Sequence, residues 1–219
     1  MHYPGGKGQC YQRLIGLMPP HDVYIETHVG GGAVLRHKRP ARVNIGLDQD
    51  PRVIEMLAAH SDAHLQAVDA VAFLRTHPFT GKELIYADPP YLRETRHGTR
   101  RLYAYEYTRE QHEELLDALL GVPCAVMISG YPSDIYATRL AHWRTATFDV
   151  TTRSGRRATE CVWMNFPTPT KLHDPRYVGE DYRARERIKR KTQRWVERVR
   201  NLEPVERHAL LSALQEFGV

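Results

Sequence analysis

The residues best suited to chemistry lie in "LIYADPPYL", residues 84–92, where Asp88 ends an apolar run and is followed by two prolines and a tyrosine. Pro89 and Pro90 supply no backbone N–H and fix φ, so an entering strand stops at Asp88 and the chain continues as a rigid, extended turn with free carbonyls. A carboxylate beside a proline carbonyl suits a group with two hydrogens, such as an exocyclic amine, and Tyr91 adds a flat face for a planar ring. The set describes a pocket for a nucleobase amine. Asp-Pro is also a common turn starter, so the surrounding chain decides between the two readings.

Such a pocket needs a scaffold. The short apolar runs "VYIET", "VNIGLD", "LQAV", "LIYAD" and "CAVMIS" alternate with helix-like segments such as "PRVIEMLAAH" and "TREQHEELLDALL". This alternation predicts an open parallel sheet with helices on both faces. Asp69 and Asp134 each open a short helix as a capping acid. The segments "WRTATFDVTT" and "ATECVWMNF" flank the turn-forming "RSGRR" and predict a terminal antiparallel hairpin. Prolines and threonines after residue 166 read as a linker. Ile188, Trp195 and Val199 then predict an amphipathic helix from Tyr182 to Leu202, and Pro204 starts another.

In a parallel sheet ligands bind outside the carboxyl ends of the strands. The predicted strands bring Glu26, Asp48, Asp69 and Asp88 to that edge. Gly30, Gly31 and Gly32 follow the first strand, where glycines let a ligand approach the backbone. Asp48 ends the second strand, placed to accept hydrogen bonds from ribose hydroxyls, while Asp50 beyond it reads as a helix cap. An acid-lined crevice repels phosphates but accommodates ribose, an adenine amine and a sulfonium cation. These are the parts of S-adenosylmethionine (SAM), the expected cofactor; no metal is expected.

The set "YPGGKG", "YIETHVGGGAV", "LDQD", "VDAVAFL", "DPPY" and "ECVWMNF", in this order over residues 3–166, resembles the Dam-type DNA adenine methyltransferases, especially short phage and prophage forms. The resemblance implies a Rossmann-like class I SAM-dependent methyltransferase fold, placed at residues 1–168; composition and helical spacing add a linker at 169–179 and a basic helical extension at 180–219. It implies that Tyr3, Gly5, Gly6 and Lys7 lie against cofactor and active site, and that Glu26 with Gly30, Gly31 and Gly32 holds the methionine part. Asp48 would hold the ribose, Asp69 the cofactor's adenine, and Asp88, Pro89, Pro90 and Tyr91 the target base. The family's Glu-Pro-Phe is Glu26-Thr27-His28 here, so His28 either stacks on the cofactor or is a satisfied histidine. Only eighteen residues separate Asp69 from Asp88, which leaves no room for the target-recognition domain of larger members. Low sequence specificity is the consequence, and protection of phage DNA against restriction would suit the resemblance.

A substitute for that domain is "LRETRHGTRRLYAYEYT", residues 92–108. Arg93, Arg96, Arg100 and Arg101 suit phosphates, while Tyr103, Tyr105 and Tyr107 alternate as on one face of a strand. Arg153, Arg156 and Arg157 at the hairpin turn are a second phosphate-contact set. The net charge of +5 over 219 residues is uneven, with eleven Lys or Arg against five Asp or Glu in residues 171–200. A basic segment on a near-neutral body points to an acidic polymer, here DNA, as partner. Cytosine N4 or adenine in RNA would fit the same pocket, and a nucleic-acid-binding protein on a degenerate fold is the rival of another class. Cys10, Cys124 and Cys161 have no metal-ligand spacing. With no apolar run of membrane-span length and no signal-peptide core at the N-terminus, the chain is expected in the cytoplasm.

Overall fold

The computed structural model describes residues 6–8, 10–96, 104–151, 155 and 157–217. Seven strands form one sheet: β1 (Val23–Glu26), β2 (Val43–Asp48), β3 (His64–Ala67), β4 (Glu83–Ala87), β5 (Ala125–Gly130), β6 (Arg144–Thr151) and β7 (Arg157–Met164), in the order β3-β2-β1-β4-β5-β7-β6. The first five are parallel, and β7 inserts antiparallel between β5 and β6. The expected parallel sheet with a closing hairpin is what forms. The strand order reverses between β1 and β4, which opens a crevice at their carboxyl ends.

All five residues of β4 are buried, as its continuous apolar run requires. The edge strand β3 is mostly exposed. The helices of this unit are α1 (Tyr11–Ile15), α2 (Ala33–His37), α3 (Pro51–Ala58), α4 (Ala70–Thr76), α5 (Arg109–Gly121) and α6 (Asp134–Arg139). Leu115, Leu116 and Leu119 of α5 and Leu74 of α4 join Ile25, Ile85, Val126 and Ile128 of the sheet in the core. Thr108 begins α5 with a reciprocal capping box to Gln111.

Asp50 and Asp69 cap α3 and α4 through Arg52 N and Ala72 N. Asp134 departs from expectation. Ser133 is the cap residue of α6, and the Asp134 carboxylate, one position inside, is drawn to Arg109 at 2.7 Å. No strand forms over residues 104–107, so the tyrosines there do not share a strand face.

The chain divides into two compact units, Met1–Asp174 and Pro175–Val219. Residues 173 and 174 belong to the first. His173 N donates to Met18 O, and buried Asp174 accepts from Arg39 N at 2.8 Å. The second unit carries α7 (Tyr182–Arg200), capped by Asp181, and α8 (Pro204–Glu216); neither helix has a buried residue. No helix among the described residues is long and apolar enough to cross a membrane.

Candidate active site

Parallel register brings the strand-end acids together. Glu26 lies beside Gly46 on one side and Tyr86 on the other, so Asp48 and Asp88 each follow two residues later at the same edge. Between them opens a cleft lined by Gly6, Lys7, Glu26–Ala33, Asp48–Asp50, Ala70, Asp88–Pro90, Ala104, Tyr105 and Tyr107.

The glycine turn forms one wall. Gly30 and Gly32 adopt left-handed φ of 46° and 62°, a region costly for other residues, and a Cβ on Gly32 would meet Leu57 Cδ2 at 2.9 Å. Asp48 holds this turn as well as facing the cleft. Its Oδ2 accepts from Gly30 N and its Oδ1 from Asp50 N, both at 3.0 Å. Burial raises its pKa against these bonds. A carboxylate has about four acceptor sites, so these backbone bonds leave capacity for a ligand hydroxyl.

Glu26 is 3% exposed and accepts from Tyr24 OH at 2.9 Å. Burial pushes its carboxyl up to about 8, so it binds a proton at neutral pH until a cation arrives beside it. His28 is a satisfied histidine that also lines the cleft. Its Nδ1 pairs with Thr27 Oγ1 and its Nε2 with Tyr107 OH, each at 2.9 Å, and it meets the Tyr107 ring edge-on. Burial lowers its pKa to about 3, leaving it neutral. Thr27 and His28 therefore tie the glycine turn to the segment entering α5.

At the other end lies a buried charge cluster. Lys7 Nζ sits 2.7 Å from Asp88 Oδ1, 3.0 Å from Glu160 Oε1 and 2.5 Å from Tyr91 OH. Tyr91 OH donates to Glu160 Oε1 at 2.8 Å, and Ser129 Oγ donates to Asp88 at 3.3 Å. Burial works against the charge on Lys7, yet Asp88 and Glu160 outweigh it and hold the ammonium above its usual pKa. Burial pushes Asp88 up to about 6, opposed by Lys7 and reinforced by Glu160. Tyr91 is 9% exposed, its ring packed edge-on against Tyr131 at 4.7 Å, and it does not line the cleft. Stacking a base on it requires Tyr131 to give way.

Glu160 is the residue that sequence reasoning missed. Its signal was a lone acid opening the apolar run of "ECVWMNF"; on β7 it is 4% exposed, and it meets Lys7 and Tyr91 only through the tertiary fold. Asp69, in turn, caps α4 through Ala72 N and lies outside the cleft lining, while neighbouring Ala70 does line it. Arg96, expected at phosphates, is ion-paired with Glu106, its side chain 9% exposed. Tyr105 stands in the cleft wall, half exposed. Arg93 lies in a short 3-10 turn and Arg157 is exposed at the start of β7. Tyr3, Gly5, Arg100, Arg101, Tyr103, Arg153 and Arg156 lie outside the described residues.

No protein-family model and no curated protein sequence matches the chain. Among solved structures it is similar to a precorrin 8w decarboxylase of Methanobacterium thermoautotrophicum, at 14% identity over 74% of this chain and 91% of that one, TM-score 0.50. It is similar also to the N-methyltransferase NodS from Bradyrhizobium japonicum WM9, at 11% identity over 74% of this chain and 100% of that one, TM-score 0.50. The chain has the class I SAM-dependent methyltransferase fold. At these identities the likeness is one of fold.

Proposed function

We propose that the protein is a SAM-dependent DNA adenine-N6 methyltransferase of the Dam type with relaxed sequence specificity. One observation carries the reading. Asp88 and Pro89 line a glycine-turned, acid-lined cleft side by side, with the Asp88 carboxylate gripped by Lys7. The cleft residues fit SAM. Gly30 and Gly32 line the cleft with left-handed backbone, Glu26 and Asp88 favour cationic centres, and Asp48 keeps acceptor capacity for a ribose hydroxyl.

When bound, SAM supplies an electrophilic methyl group. This chain's residues do the rest. Asp88 and the Pro89 carbonyl accept the two hydrogens of the target amine and turn the nitrogen lone pair toward the methyl, so positioning and electrostatics dominate the rate. Lys7 fixes the rotamer of Asp88 and favours its ionised, acceptor-only form. The Asp88 carboxylate is then the nearest base for the proton that the methylated amine gives up. Extruding the base costs a few kcal/mol of stacking and pairing, which the pocket recovers, with Tyr91 adding to it once Tyr131 gives way.

The test is incubation of the purified protein with methyl-labelled SAM and unmodified duplex DNA, followed by digestion to nucleosides. Label in N6-methyladenine is the expected result. Label confined to N4-methylcytosine or to RNA substrates, or none at all, overturns the proposal.

A further inference from the structure

The site does not use α7, whose 19 residues hold nine Lys or Arg against two Glu. The pattern is more specific than the count. Arg183, Arg187, Arg190, Arg194 and Arg198 recur at spacings of four, three, four and four, which on a helix is a single column. At 1.5 Å per residue the column spans about 22 Å with a guanidinium at every turn. All five are exposed, and none forms an ion pair among the described residues. Clustering like charges on one face opposes helix stability by a few tenths of a kcal/mol per pair.

We infer that this arginine column is a docking surface for the backbone of duplex DNA. Duplex DNA is a stiff rod with a phosphate about every 1.7 Å of axis. A file of guanidiniums about 5.4 Å apart sets several cations along one such rod, and arginine binds phosphate bidentately where lysine offers a point charge. The apolar side of α7 is narrow. Ile188, Trp195 and Val199 are interrupted by Thr192, too little surface to seat the helix in a lipid interface against nine cations. The first unit lacks an inserted recognition domain, and a sequence-blind grip on phosphates supplies affinity without specificity. Tethered to the catalytic unit, it raises the local concentration of target bases. This inference rests on the proposed DNA substrate, but its test does not require turnover.

The experiment compares the full-length protein with a triple variant, Arg187→Gln, Arg190→Gln and Arg194→Gln, and with a control of equal charge, Arg42→Gln, Arg75→Gln and Lys171→Gln. Fluorescence anisotropy with labelled, unmodified duplex DNA is recorded from 50 to 200 mM salt. Losing three phosphate contacts flattens the plot of log K against log salt by about 2.7, so the variant's affinity is about 40-fold less salt-sensitive over this range. The control keeps the wild-type slope. An unchanged slope in the triple variant overturns the inference. So does an effect seen only on binding to phosphatidylserine vesicles, or only on oligomeric state in sedimentation. If the slope flattens as stated but no DNA is methylated, the docking surface stands and the proposed reaction falls. If the wild-type protein does not bind duplex DNA, the docking surface falls whatever the chemistry.

Discussion

Glu160→Gln isolates what the buried cluster does. The substitution keeps the shape and an acceptor for Tyr91 OH and Lys7 but removes one charge. Because Glu160 and Asp88 both bond Lys7 Nζ, at 3.0 and 2.7 Å, their oxygens are at most about 6 Å apart. At an effective dielectric near 20, two unit charges at that distance interact by about 2.8 kcal/mol, equivalent to about 2 pKa units. The other groups around Asp88 stay in place. Lys7 opposes its protonation, Tyr86, Tyr91 and Tyr24 are neutral phenols, Cys10 is a buried thiol pushed up to about 12, and Glu26 is protonated below about 8. Asp88 works as an ionised acceptor, so activity is present above its pKa and lost as pH falls through it. In the wild type this acid limb of kcat/KM for DNA, measured at saturating SAM, falls at or below pH 6, because the cofactor's cation favours the ionised form of Asp88. In Glu160→Gln it moves down by about 2 units, so the variant retains relatively more activity at pH 5. A merely structural role would lower the rate equally at every pH. An acid limb that stays in place would refute the electrostatic reasoning.

Asp88→Ala removes the amine acceptor, so transfer should fall at least about 10²-fold while SAM binding by calorimetry is largely retained; an active variant ends the assignment. Gly32→Ala places a Cβ 2.9 Å from Leu57 Cδ2 at φ of 62°. It should cost about 1–2 kcal/mol in chemical denaturation and weaken SAM binding, whereas Gly121→Ala, with nothing within 4 Å, should do neither. Glu26 carries a proton up to about pH 8 in the empty cleft, and a cationic ligand favours its ionised form. SAM affinity should therefore rise with pH between 6 and 7.5, by up to about tenfold per unit with release of one proton. Titration calorimetry in buffers of different ionisation enthalpy reads that proton, and Glu26→Gln should lose both effects.

Much of the fold was legible because it rests on local pattern. The apolar runs before Glu26, Asp48 and Asp88 mark parallel strands, since strands buried on both faces must be apolar throughout. Chain order then places their acids at one edge. Three-in-a-row glycines and a double proline identify the two ends of the cleft, because each has a backbone property that no other residue shares. The basic column of α7 is likewise written in residue spacing alone.

What tertiary structure decided is which charges meet. Glu160 lies 153 residues from Lys7 in sequence, and only insertion of β7 beside β5 brings it to Lys7 and Tyr91. Arg96 has the composition of a phosphate ligand, but a carboxylate ten residues later captures it. Asp69 sits at the right strand end, yet its helix N-terminus claims it first. Residue type and spacing state what a side chain is able to bind. Burial and the distance to competing partners decide what it does bind, and those arise only when distant segments pack.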